Sequence, residues 1–332
     1  MLWQPNLTLC PWKRGKIKHK EIEGTASDFL LGSEPTWNDI RCGAASKRHC
    51  DNDLFKKVKE IKKQRKHHVL ILTGTAGSGK STVAKRIALE LHKQGENIGW
   101  IDQYHCPHSR IIINALESET APDILLIEDA FVYGQSLESL LRSLKKFDKK
   151  IVIVVLRSNQ IEKLLGDIKS DKTFEEFVVP NLSDEDIDGL LDSLDRFNRL
   201  GILKGKSRDE QRNMFRSKCN RQLLVAMIEA TSGADFDKKC TSEYEQLSDA
   251  EKRYYEVAVV ATCKGIAISQ DDLILSTGQL SNPDVDFLRK MLSRGLLLYG
   301  NNNTIRVRHK VISEKVFDHL IKQNLTVLPI TE

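Results

Sequence analysis

The sequence is marked first by what it does not contain. No apolar run in its 332 residues reaches the roughly 20 that a membrane-spanning helix needs. Met1 to Lys20 has no apolar core of the kind a secretory signal carries, so a cytoplasmic location is expected. Neither sign of charge dominates. Fifty-one basic residues face 46 acidic ones, and a net charge of +5 is too mild and mixed to argue for nucleic acid. The basic run from Lys56 to His68 reads as the solvated face of a helix ahead of the first strand. Paired cysteines are missing too. The seven cysteines, at 10, 42, 50, 106, 219, 240 and 263, are odd in number and form no C-x-x-C pair, which fits free thiols in a reducing compartment. His105-Cys106-Pro107-His108 has no second cluster to complete a tetrahedral metal site and reads as a loop.

What is present is ordinary for a globular protein of two or three domains, with 40% hydrophobic residues. One stretch organises the rest. Gly74-Thr75-Ala76-Gly77-Ser78-Gly79-Lys80-Ser81 matches the phosphate-loop pattern G-x-x-x-x-G-K-[S/T] at every fixed position. The apolar run from His68 to Thr73 reads as a buried parallel strand before it. Val83, Ile87, Ala88 and Leu91 recur at helical spacing after it. Glycines at 74, 77 and 79 admit backbone angles closed to other residues and let the chain approach a phosphate closely. Loop N–H groups and the helix N-terminus then face the anion. Lys80 can reach the β- and γ-phosphates, and the Ser81 hydroxyl can ligate Mg²⁺. The expected nucleotide-binding set is Gly74, Thr75, Ala76, Gly77, Ser78, Gly79, Lys80, Ser81 and Thr82.

Residues 1–25 lack periodicity and read as an arm or junction. Residues 26–66 form a segment ahead of the loop, with a turn around Trp37 and a helix from Asp53 to Lys66. Such a segment can fold back over a nucleotide base. Trp37, Asp39 and Ile40 would then line the base pocket, or Trp37 and Ile40 simply pack on the domain. From residue 67 to 181, strands near 68–73, 97–102, 123–128, 151–156 and 175–179 alternate with helices near 80–94, 108–117, 135–147 and 159–168. That alternation predicts an α/β, doubly wound parallel sheet with ligand at the carboxyl ends of its strands.

The third strand, Ile124 to Ile127, runs into Glu128-Asp129. An apolar strand ending in adjacent carboxylates is the expected partner of a phosphate loop. One holds Mg²⁺ and the other orients the attacking water, and the sequence leaves open which of Glu128 and Asp129 does which. Ser81, Glu128 and Asp129 are therefore the expected metal residues. Arg157, at the tip of the fourth strand, is placed to sense the terminal phosphate. After Pro180, Ser183 with Asp186 reads as a helix N-cap followed by an acidic residue three positions on. A small helical domain follows over 182–240, with helices at 183–197, Arg208–Ser217 and Arg221–Thr231 and a stop at Gly233. Over 241–322, helices starting near Asp249, Gln270 and Pro283 precede a hairpin around Gly300-Asn301-Asn302-Asn303, a winged-helix pattern, with a last helix over about 310–322 and a tail over 323–332.

The order of these parts, the phosphate loop, Glu128-Asp129 and Arg157 resemble the ATPase core of the STAND class, signal-transduction ATPases related to NACHT and NB-ARC switches that include bacterial anti-phage sensors. Two further stretches resemble that class. Cys219-Asn220-Arg221-Gln222-Leu223-Leu224 is similar to the helical-domain motif Gly-x-Pro followed by leucines, with Cys219 and Arg221 in place of the Gly and Pro, so Asn220 and Arg221 are the expected base contacts. Val307-Arg308-His309-Lys310 is similar to the winged-helix motif whose histidine reads the nucleotide phosphates, which assigns that role to His309. The resemblance covers about residues 28–322 and implies ATP and ADP with Mg²⁺ as cofactors, slow regulatory hydrolysis, defence signalling among the roles, and self-association in the ATP state. Members carry an effector before the core and a repeat sensor after it. Neither is in this chain, so it is expected to be a fragment or a short member with separate effector or sensor partners.

Two other readings share the loop. An ATPase of the origin-recognition or clamp-loader kind would bind DNA through its winged helix. Residues 283–294 carry Arg289, Lys290 and Arg294 against Asp284 and Asp286, a balance that disfavours a groove-reading helix. A small-molecule kinase would need an acceptor site that the helical and winged-helix parts do not evidently supply.

Overall fold

The computed structural model describes residues 28–102, 107–119, 121–166, 171, 173–217, 219, 221–277, 283–300 and 304–323. Contacts within the chain gather these into two compact units. One runs from Ser46 to Leu190; the other joins the residues up to Ala45 with those from Leu191 onward.

In the first unit, α2 (His49–Lys63) leads into β1 (His68–Thr73), the phosphate loop and α3 (Lys80–Lys93). Then come β2 (Ile98–Ile101), α4 (Ser109–Leu116), β3 (Ile124–Ile127), α5 (Ser136–Leu144), β4 (Ile151–Val155), α6 (Ile161–Leu165), β5 (Phe174–Val178) and the start of α7 (Asp184–Arg196). All five strands are parallel, in the order β2-β3-β4-β1-β5. The fold is thus the expected α/β sheet, with β4 between β1 and β3. β1 to β4 are buried on both faces, as an apolar run in a covered parallel sheet must be. Val69, Ile71, Leu125, Ile127, Val152 and Val154 form one core with Ile112, Leu137, Leu141 and Leu164 of the α4–α6 layer. Strand side chains alternate, so Leu70, Leu72 and Ile153 point to the opposite face. α3 meets the sheet and packs on α2. β5 is an edge strand with alternating exposure.

Helix bounds differ from the periodicity in physically readable ways. α2 starts at His49 rather than Asp53, because Asp51 accepts from the Arg48 N–H at 2.8 Å and closes the helix start there. The helix expected over 159–168 is a 3-10 turn, Ser158–Gln160, followed by the short α6. The Ser183–Asp186 cap forms as expected, with reciprocal bonds of 3.1 Å.

In the second unit, α1 (Trp37–Arg41) opens on a capping box between Thr36 and Asp39. After α7 come α8 (Arg208–Ser217), α9 (Leu223–Ser232), α10 (Phe236–Glu245) and α11 (Asp249–Lys264), then β6 (Ile268–Ser269), α12 (Gln270–Ser276), α13 (Pro283–Ser293), β7 (Leu297–Tyr299), β8 (Thr304–Val307) and α14 (Lys310–Lys322). Gly233 ends α9 in the left-handed region, and Ser248 caps α11 with Glu251. The hairpin pairs Leu297 with Val307 and Tyr299 with Ile305, and β6 adds a third strand beyond β8. β6 and α10 carry no sequence signal strong enough to separate them from their neighbours. Tyr244, Tyr254 and Tyr255 fill this unit's core with Leu297, Val307, Ile312 and Val316.

Candidate functional site

The carboxyl ends of β1, β3 and β4 converge on the phosphate loop. Gly74, Gly77 and Gly79 have φ of 152°, 73° and 91°, so all three take positive backbone angles. Gly77 and Gly79 are in the region that L side chains rarely enter. Gly74 is also fixed by space: a Cβ there would come within 2.8 Å of Ser78 Oγ and 3.1 Å of the Val179 carbonyl. Gly79 caps α3, whose first residues are Lys80 and Ser81, so the helix N-terminus opens onto the loop. The loop is tied to its neighbours. The Gly74 carbonyl accepts from the Ser158 N–H at 3.2 Å, which sets the β4 tip and Arg157 beside it. Lys80 Nζ donates to the Thr75 carbonyl at 2.6 Å and to Gly74 at 3.2 Å.

Ser81 and Glu128 lie beside each other. The Glu128 carboxylate takes both its oxygens to within 3.1 Å of Lys85 Nζ, and the neighbouring Ser81 hydroxyl favours its charged form. Burial holds the Glu128 carboxyl above the ordinary carboxylate range. The Lys85 ammonium pulls it down, and Asp102, at the end of β2, pushes it up again. Glu128 is 3% exposed. Asp129 follows in the left-handed region at φ 44° and is half-buried. Of the two carboxylates, Glu128 is the buried one, beside Ser81. Thr82 is buried in the first turn of α3. Ser78 Oγ, buried against Gly74, has no hydrogen-bond partner among the described residues. An orphaned hydroxyl, a lysine folded onto loop carbonyls, a glycine cradle and a Ser81–Glu128 pair are a donor set that fits a nucleotide phosphate with Mg²⁺.

The other expected contacts lie in the second unit. Asp39 and Ile40 are buried in α1, and the Asp39 carboxylate accepts from the Thr36 N–H at 2.7 Å and its hydroxyl at 2.6 Å. Arg221 takes φ 56°, and its N–H donates to the Phe215 carbonyl at 3.2 Å. Asn220 lies outside the described residues. His309 is the N-cap of α14, its Nδ1 accepting from the Val311 N–H at 3.1 Å. The corner around it is built on Glu34, which accepts from the Lys310 N–H at 3.2 Å and pairs with Arg306.

Sequence reasoning missed Lys85 and Arg48. Lys85 lies four residues after Ser81, one helical turn on, so its helix face alone points it toward the same carboxylate. Arg48 carries no local pattern beyond Asp51 three residues later.

These features define a P-loop nucleotide-binding site on a parallel α/β sheet. More particularly, residues 27–168 match the family model described as Novel STAND NTPase 5. No curated protein sequence matches the chain. Among solved structures it is similar to Cdc6p from Pyrobaculum aerophilum, with 14% identity and a TM-score of 0.37 over 90% of this chain and 98% of that one. It is also similar to the Aeropyrum pernix Orc1 protein in complex with DNA, with 11% identity and a TM-score of 0.36 over 90% and 96%. Hsp104 of S. cerevisiae in its casein complex matches with 13% identity and a TM-score of 0.44 over 73% and 50%.

Proposed function

We propose that the chain is an ATP-binding and hydrolysing switch of STAND type, in which nucleotide state controls self-association or an effector. The observation that carries this reading is the intact phosphate loop, with Gly74, Gly77 and Gly79 at positive φ and Gly79 opening α3, and the buried Glu128 at the end of β3. Ser81 and Glu128 are the residues that would hold Mg²⁺, which when bound neutralises charge on the β- and γ-phosphates. The loop backbone and Lys80 bind the phosphates. Asp129, the adjacent carboxylate, orients the attacking water and accepts its proton. Arg157 at the β4 tip donates to the terminal phosphate. Arg221 and Asn220, with Asp39 and Ile40, are assigned to the base, and His309 to the phosphates of the ADP state. The domain plan remains a nucleotide-binding domain over 67–181, a helical domain over 182–240 and a winged helix over 241–322.

The DNA-binding alternative gains nothing from α13. Lys290 and Arg294 lie 3.5 and 3.7 Å from the buried Glu251, and Arg289 lies 3.7 Å from Asp286, so each of these exposed basic side chains has an acidic neighbour that offsets its charge. Among the described residues no helix is long and apolar enough to cross a membrane. We assign the switch to the cytoplasm and to defence signalling on the resemblance of its phosphate loop and order of parts to STAND ATPases. The test is titration calorimetry with ADP and ATP, with light scattering in each nucleotide. Lys80→Ala should bind roughly 30- to 150-fold more weakly, the cost of about 2–3 kcal/mol for one charge-assisted phosphate contact. Equal affinity in wild type and Lys80→Ala would sink the reading.

A further inference from the structure

Arg48 precedes the loop by 26 residues and is 3% exposed. Its guanidinium spreads over three acceptors from two distant stretches. Nη1 donates to the Ser78 carbonyl at 2.7 Å, Nη2 to the Pro180 carbonyl at 2.6 Å, and Nε faces Asp186 Oδ2 at 3.4 Å. A buried charge is tolerable only with such pairing. The planar fork serves three acceptors at fixed angles, which an ammonium does not reproduce.

The arginine is itself held. Its N–H donates to Asp51 Oδ2, and Asp51 is paired at 2.9 Å with Arg86 of α3. Asp186 accepts from the His49 N–H at 2.7 Å as well as capping α7 through Ser183. The start of α2, the flank of α3, the loop and the start of α7 therefore share one buried network.

We propose that Arg48 is a positioning residue for the phosphate loop, setting its anion-facing donors and coupling them to the entry of α7. The inference rests on the nucleotide reading above. The Ser78 carbonyl and the Gly79 N–H belong to one planar trans peptide and point in opposite directions. Drawing the carbonyl toward Arg48 turns the Gly79 N–H the other way, away from the guanidinium. A backbone donor fixed before the anion arrives costs no reorganisation on binding. Through Pro180 and Asp186 the same guanidinium ties that peptide to the β5–α7 junction. A shift of the loop on binding phosphate is thereby felt at the first turn of α7.

The experiment compares wild type, Arg48→Lys and Arg48→Gln in the full chain, measuring ADP affinity by calorimetry and nucleotide-free stability by urea unfolding. Expected are folded variants that bind ADP more weakly by about tenfold or more, because a charge-anchored donor has lost its alignment. Arg48→Lys should recover part of the loss seen in Arg48→Gln. A purely structural role would lower stability and leave ADP affinity in the folded protein untouched, and affinity within twofold of wild type in either variant overturns the proposal. Where neither variant folds, Asp186→Asn replaces them. It keeps Arg48 on both carbonyls but loosens its third hold, and unchanged ADP affinity there overturns the proposal equally. Wild type that binds neither ADP nor ATP would instead refute the nucleotide reading, an outcome separate from any effect of Arg48.

Discussion

Lys85 Nζ lies 3.0 and 3.1 Å from the two carboxylate oxygens of Glu128, and both side chains are buried. The ammonium also sits 4.6 Å from the centre of the Trp100 ring. A carboxylate beside the phosphate site thus has a built-in counter-ion from the phosphate-loop helix. This keeps its charge supported in the nucleotide-free protein, at the expense of desolvating two ions.

Breaking that pair from one side should be costly. Lys85→Met is expected to destabilise the nucleotide-free protein by about 3–5 kcal/mol, because it strands a buried carboxylate. Lys85→Met with Glu128→Gln should regain most of that. Urea unfolding of the single and double variants measures the coupling, and additive losses would mean that the pair carries no interaction.

Glu128 and Asp129 should separate by what they damage. Glu128→Gln is expected to abolish Mg²⁺-dependent turnover and to weaken the Mg²⁺ dependence of ATP binding, since Glu128 is the buried carboxylate beside Ser81. Asp129→Asn should cut turnover on the order of 10²-fold or more while ATP affinity holds, as a residue acting on the water would. Asparagine tolerates the left-handed backbone at 129, so the fold is spared. Turnover and affinity measured side by side decide; affinity lost in Asp129→Asn would reassign it to the metal.

At the opposite end of β1, His67 and His68 are both buried, and burial pushes both imidazoles below the usual 6.5. The unfolded chain therefore takes up these protons first as pH falls. Their effect is absent well above pH 6.5 and costs stability below it, by up to about 1.4 kcal/mol per pH unit for each histidine until the folded value is reached. Urea midpoints should drop between pH 7.5 and 5.5, and His67→Phe should flatten that slope. A slope unchanged by the substitution would place the titration elsewhere.

The parallel sheet was legible because its strands are short apolar, partly β-branched runs, Val69 to Leu72 and Ile151 to Val155, that are stable only when covered on both faces. The loop was legible because its chemistry is local: three glycines, one lysine and one serine at fixed spacing. The Glu128–Asp129 ambiguity was not resolvable, since adjacent residues on a strand end differ only in which way the chain turns next. The structure turns the chain left-handed at Asp129, and the division of roles between the two carboxylates is part of the proposal. Arg48 was invisible for a related reason. Its partners at 78, 180 and 186 are linked to it only by the fold, and no periodicity marks a side chain that reaches for backbone carbonyls. α10 escaped notice because its apolar positions, Phe236, Cys240 and Tyr244, are few and flanked by charge.

His309 has two jobs to tell apart. Its ring caps α14 through Nδ1 and the Val311 N–H, a role that side chains such as asparagine also fill. Its proposed second job, reading the phosphates of ADP, needs the imidazole itself. His309→Ala removes both, and the lost cap alone should cost about 0.5–2 kcal/mol of stability. His309→Asn keeps a cap and removes the ring. If the histidine latches the ADP state, both variants should release ADP faster, by roughly tenfold for one charge-assisted bond, and shift the population toward the open form by a comparable factor. If it is only a cap, His309→Asn should behave as wild type in ADP release while His309→Ala loses stability alone. ADP off-rates, unfolding midpoints and small-angle scattering on the three proteins give the answer. An unchanged off-rate and radius of gyration in His309→Asn would confine His309 to the helix start and move any latch elsewhere in the chain.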